Sequence, residues 1–273
     1  MGKVLAVWSD VKKSGKSVVA YMLSKQIREM AHKDLRILVC CLNRQYTSLY
    51  RLMGADESDT GLEDLINYEF FEDEKSETLK SIIPEYNGIY FLGSYRMSNS
   101  YAVRNTEKYA RLFQKLQNDF DLVIFDTVSG MENVLTNMVL KKADMLLKLY
   151  NQDNESIREL SRVKDGLAPY NQDILYLMSK YRNIYPRVTD IKRKYGLKKV
   201  YSMEYCETLQ EMKNKDSLHL YLQRETKCNN SAKRISKYIL EALGLIPQKG
   251  TVKEKPRWYL RSFRGIFQSM EHN

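Results

Sequence analysis

Cysteine and histidine are scarce in this chain of 273 residues. Four cysteines stand at Cys40, Cys41, Cys206 and Cys228, and three histidines at His32, His219 and His272. None of the cysteines forms a C-x-x-C pair. Neither a zinc site nor a disulfide framework is therefore expected, and a reducing cytoplasmic setting is. Long apolar runs are missing as well. No stretch approaches the roughly 18 residues of a membrane-spanning helix, and mean hydropathy is −0.51. Met1–Ser9 carries one lysine and no small-residue cleavage site, so it reads as a first strand rather than a leader. Ala6 stands where N-myristoylation requires Ser or Thr. Internal repeats and low-complexity tracts are lacking too.

Hydrophobic residues make up 43% and charged residues 29%, enough apolar material for a sizeable core and too much for general disorder. Lysine and arginine number 44 against 34 acids, a formal charge of +10. Such a balance favours an anionic partner: nucleotide, nucleic acid or anionic lipid. The 20 tyrosines read as compositional drift rather than as functional groups.

Short apolar runs recur along the chain: Val4–Trp8, Ile37–Leu42, Ile89–Leu92, Leu122–Phe125, Met145–Tyr150, Ile174–Met178 and Lys199–Met203. Most are continuous rather than alternating, as in strands covered on both faces. Helical spacing of three and four lies between them. It appears in Val19, Met22, Leu23, Ile27 and Met30, in Tyr109, Leu112, Phe113 and Leu116, and in Ile235, Ile239 and Leu243. This alternation predicts an α/β fold: a doubly wound, mostly parallel sheet of about seven strands with helices on both faces. One domain is expected over 1–245, a linker rich in Gly, Pro and Lys over 246–256, and a tail over 257–273.

The richest motif follows the first run: Asp10-Val11-Lys12-Lys13-Ser14-Gly15-Lys16-Ser17, opening the first helical pattern. A tight loop there aims backbone N–H groups inward, and the helix N-terminus adds a positive dipole. Lys12, Lys13, Ser14 and Gly15 would cradle phosphates, Lys16 would reach the terminal ones, and the Ser17 hydroxyl would hold Mg²⁺. Asp10 occupies the place of the first glycine in G-x-x-x-x-G-K-[ST]. The second element is Asp121–Gly130, in which an apolar strand delivers Asp126 at its C-terminal end, where α/β sheets bind ligands. That carboxylate suits a Mg²⁺ hydration shell, and Gly130 allows a loop to approach the γ-phosphate.

With these two motifs in place, Met1–Leu243 resembles the ParA/MinD family of deviant Walker-A P-loop ATPases. Asp121–Leu140 is similar to the family's D-T-P-A-G switch and following helix, and Gly61–Ile66 to its G-L-x-D-L-L stretch. Ile89–Ser94 with its polar sequel is similar too. The resemblance implies the P-loop NTPase fold, ATP and Mg²⁺ as cofactors, an ATP-dependent sandwich homodimer and slow hydrolysis. It also implies cycling on DNA or membrane. Lys16, Asp126 and Asn43 fall at catalytic positions. Two departures stand out. Val11 replaces the signature lysine that reaches the partner's nucleotide, with Lys12 or Lys13 as the nearby substitute. Asn43 replaces the acid that positions the attacking water; an amide has no charge to accept a proton, which predicts slow or absent hydrolysis. Ser179 lies near the position where the family reads the base.

In the tail, Tyr259, Phe263, Ile266, Phe267 and Met270 share one helical face, while Arg257, Arg261, Arg264 and Gln268 share the other. From Lys249 to Asn273 six basic residues face two acids. An aromatic face beside an arginine face suits an anionic bilayer, and the pattern resembles the membrane-targeting tail of MinD-type members. Docking on a protein partner, on the body itself or on nucleic acid are the other readings. The leading function is a nucleotide-switched dimeric ATPase that positions or partitions a cargo with a partition, septum or secretion complex. It would be cytoplasmic and peripheral at the inner membrane face. The alternative is a hydrolysis-deficient localisation scaffold, as in TadZ-like members of pilus or conjugation systems. A bacterial tyrosine kinase is the third reading; Asn43 and the lack of a terminal tyrosine cluster oppose it.

Overall fold

The computed structural model describes residues 1–43, 49–54, 60–67, 79–94, 98–167 and 173–246, with backbone alone for 161–167. The tail residues Arg257, Arg261, Phe263, Arg264 and Phe267, and nearly all of the expected linker, lie outside the described residues.

Every apolar run read from the sequence forms a strand. The strands are β1 (Lys3–Trp8), β2 (Ile37–Cys41), β3 (Glu85–Tyr86), β4 (Ile89–Leu92), β5 (Leu122–Asp126), β6 (Met145–Asn151), β7 (Asp173–Tyr181) and β8 (Val200–Glu204). The helices are α1 (Lys16–Met30), α2 (Leu49–Met53), α3 (Leu62–Leu65), α4 (Asn99–Arg104), α5 (Thr106–Asp119), α6 (Val134–Lys142), α7 (Asn154–Leu167), α8 (Val188–Tyr195), α9 (Glu207–Asn214), α10 (Leu218–Tyr221) and α11 (Lys227–Ala242).

Eight strands form one sheet in the order β3-β4-β2-β5-β1-β6-β7-β8. Neighbours run parallel except β3, which returns antiparallel against β4. That two-residue edge strand is the eighth, beyond the seven expected. It is too short and too polar to leave a hydrophobic signature.

Alternation along the strands builds two cores. Leu5 and Val7 point to the face covered by α1, α2, α10 and α11, where Met22, Leu23, Ile235 and Ile239 pack. Val4, Ala6 and Trp8 point to the opposite face with Leu112, Leu116, Leu135 and Leu140 of α5 and α6. A third cluster fills the space under α7 and α8, around Tyr150, Tyr176, Ile157 and Ile191. Each fully buried aliphatic or aromatic side chain contributes about 1.5–3 kcal/mol, which explains why runs without polar alternation are needed in the middle strands.

The Gly61–Ile66 stretch is a turn built for packing. The Gly61 N–H donates to the Asp64 carboxylate at 2.7 Å, and Leu62, Leu65 and Ile66 are buried. Among the described residues no helix is long and apolar enough to cross a membrane.

Candidate nucleotide site

β1 sits between β5 and β6, and its C-terminal end opens into the Ser9–Gly15 loop. Parallel register sets Val7 beside Asp126, and Asp126 beside Cys41. The ends of β2, β5 and β1 therefore meet where the loop turns into α1.

Two conformations shape the loop. Gly15 caps α1 at φ +89°, where a side chain is strained, although a Cβ there would meet nothing within 4 Å. The glycine is thus required by backbone geometry rather than by crowding. Lys13 also lies in the left-handed region, at φ +58°, a conformation costing a residue with a Cβ about 1–2 kcal/mol. A tether accompanies it: the Lys180 ammonium donates to the Lys13 carbonyl at 2.9 Å. Ser14 is fully buried, and its hydroxyl has no hydrogen-bond partner.

The loop after β5 is laced to the loop after β1. Thr127 donates to the Val7 carbonyl through both its N–H (3.2 Å) and its hydroxyl (2.8 Å). The Gly130 N–H donates to the Ser9 carbonyl at 3.1 Å, and the Trp8 indole N–H to the Gly130 carbonyl at 3.0 Å. Gly130 takes φ +80° to make this reversal. The Ser129 hydroxyl donates to the Val11 carbonyl at 3.0 Å and accepts from the Lys16 ammonium at 2.5 Å.

Asp126 is 2% exposed. Its Oδ2 accepts from the Cys41 thiol at 3.5 Å, and Oδ1 has no hydrogen-bond partner. Burial pushes this carboxyl above the ordinary range, opposed by the nearby Ser17 hydroxyl and the Lys16 charge. Burial likewise pulls the Lys16 ammonium down, against the attraction of Asp126 and Asp10. A buried carboxylate oxygen without a donor, one hydroxyl away from a phosphate-type loop, fits an octahedral cation of the Mg²⁺ kind. Ser17 and Asp126 are the side chains that would hold it, and the cation would supply charge against phosphate oxygens.

A cavity of about 660 Å³ runs from this point along the sheet edge. Lys12, Lys13, Ser14, Gly15, Lys16, Ser17, Asn43, Asp126 and Ser129 are among its lining. Ser179, Lys180, Glu204, Tyr205, Cys206, Leu209, Gln210 and Lys213 line it too, with Lys180 against the Lys13 carbonyl. Gly130, expected among the nucleotide-binding residues, is outside that lining. The volume lies in the range of small-molecule and cofactor sites.

The sequence matches no protein-family model, and no curated protein matches it. Solved structures do match in three dimensions. MinD of Pyrococcus horikoshii, complexed with Mg-ADP, superposes with TM-score 0.72 at 15% identity, over 90% of this chain and 98% of that one. A ParA family ATPase from Chlorobium tepidum gives TM-score 0.73 at 13% identity, over 87% and 100%. A Cyanothece McdA variant in complex with ATP gives 0.64 at 16%, over 90% and 98%. The fold is that of the MinD and ParA ATPases.

The cavity brings together Lys12–Ser17, Asn43 and Asp126, singled out in the sequence, with residues that the sequence reading passed over. The residues Glu204–Lys213 carry no motif and arrive only because β8 closes the sheet beside β7. One further group escaped notice: Lys148, in the middle of the otherwise apolar β6.

Proposed function

We propose that the chain binds ATP with Mg²⁺ and uses it as a switch for homodimerisation, positioning or partitioning a cellular cargo. The observation that carries this reading is the convergence of Lys16, Ser17 and the unsatisfied Asp126 oxygen on one cavity. The backbone of Lys12–Gly15 and the N-terminus of α1 would cradle the phosphates, Lys16 would counter the terminal charge, and Ser17 with Asp126 would hold the cation. Two subunits joined through nucleotide double any weak surface contact of the 257–273 tail, which turns marginal attachment into avid attachment. That tail is assigned to an anionic membrane or a protein partner, and residues 1–245 to the nucleotide-binding domain. Titration calorimetry with ATP and Mg²⁺ tests binding, and light scattering with ATP against ADP tests the switch. A monomer in both nucleotides overturns the switching reading.

A second reading is favoured by Asn43. This amide lines the cavity at the end of β2 and offers no carboxylate to a water. A chain that binds ATP without turning it over would serve as a localisation scaffold. Phosphate release measured over hours separates the two.

A further inference from the structure

We propose that Lys148 is a positioning residue of the nucleotide site, holding the head of the phosphate loop through a buried ion pair with Asp10. The inference rests on the reading of this cavity as a nucleotide site.

Asp10 places a carboxylate at the entrance of a loop built to receive anions. Nearly all of it is covered: its side chain is 16% exposed. A negative charge there repels phosphate and opposes the helix dipole. The loop retains it beside a counter-charge supplied from behind. Lys148 lies in register with Trp8 across the β1–β6 pair. Its side chain is 1% exposed, its ammonium is 3.7 Å from Asp10 Oδ2, and it sits 5.4 Å from the centre of the Trp8 ring.

Packing alone does not call for a lysine here. The other β6 residues from Met145 to Tyr150 are apolar or aromatic and buried. A methionine would fill the same length without the cost of burying charge. Neither Asp10 oxygen nor the Lys148 nitrogen makes a hydrogen bond, so charge is what joins them. The groups facing Lys148 are Asp10 from the loop, Glu159 from α7 and the Trp8 ring from β1. Asp10 also acts on Lys16 from the other side. One carboxylate is thus shared between the phosphate lysine and a buried lysine behind the loop. With Lys148 charged, the local charge seen by a phosphate is set by Lys16. Without it, Asp10 cancels Lys16.

The test is titration of full-length protein with a fluorescent ATP analogue and Mg²⁺, using wild type, Lys148→Met, Asp10→Gly and Asp10→Gly/Lys148→Met. Lys148→Met should weaken binding about tenfold, and adding Asp10→Gly should restore it to within about threefold of wild type. Thermal unfolding of the same four proteins separates this from a purely structural pair, because relief of an unpaired buried carboxylate restores stability and affinity together; affinities that simply follow stability overturn the proposal. Wild-type affinity in Lys148→Met, or a double variant as weak as the single, overturns the proposal.

Should Lys148→Met fail to fold, pH carries the test. Burial draws the Lys148 ammonium down to about 8. Wild-type affinity should therefore fall between pH 7 and about 9.5 more steeply than that of Lys148→Arg, which keeps Asp10 and a cation that holds its proton throughout this range. Parallel curves overturn the proposal. Absence of any binding by wild type overturns the nucleotide reading instead.

Discussion

The Lys16 ammonium donates to the Ser129 hydroxyl at 2.5 Å across 113 residues of sequence. Ser129 passes the contact on to the Val11 carbonyl. The loop after β1 and the loop after β5 thus share one polar chain.

On the proposed reading, Lys16→Ala removes the compact charge that would face the terminal phosphates. Charged hydrogen bonds contribute about 1.5–3 kcal/mol, so ATP affinity should fall at least tenfold in calorimetry. Ser129→Ala removes only the resting partner and should leave affinity within about threefold. Equal affinity of Lys16→Ala and wild type would falsify the phosphate assignment.

Asp126 should confer the cation dependence. Its carboxyl is raised by burial, so it holds its proton to higher pH than an exposed aspartate. Mg²⁺ requires the carboxylate. The gain in ATP affinity from Mg²⁺ should therefore be full at neutral and alkaline pH. It should shrink on acidification before ordinary carboxylates titrate. Asp126→Asn should bind ATP equally with Mg²⁺ and with EDTA; a persistent Mg²⁺ effect in that variant removes Asp126 from the cation site.

Asn43→Asp should raise phosphate release. Positioning and charge stabilisation carry most phosphoryl-transfer catalysis, and a well-placed general base contributes about 10²–10⁴-fold. Wild type turning over rapidly, with Asn43→Asp slower, reverses this expectation and removes the scaffold reading.

The tail is tested with liposomes of anionic and neutral composition. Phe263, Ile266 and Phe267 would each contribute up to about 1.5–3 kcal/mol at full burial, and each nearby arginine about 1 kcal/mol on an anionic surface. Full-length protein with ATP should sediment, more weakly as salt rises. Truncation at Pro256 and Phe263→Ser/Phe267→Ser should not sediment. Binding that tolerates Phe263→Ser and collapses with salt would point to nucleic acid instead.

Sequence by itself determined the strands and the loop that joins β1 to α1. Uninterrupted apolar runs such as Leu122–Phe125 can be satisfied only where both faces are covered, and Gly15-Lys16-Ser17 at a strand–helix junction has few other uses. Its local signals stop there, because periodicity and motif are properties of neighbours in the chain. Tertiary structure decided which distant groups share a site. Parallel register set Asp126 beside Cys41 and Val7, so that its carboxylate reaches Ser17. The same register set Lys148 beside Trp8 and within reach of Asp10. Read in sequence, Asp10 is a misplaced acid and Lys148 a flaw in an apolar strand. Inside the sheet the two charges meet out of water, where attraction is strong and neither tolerates being left alone.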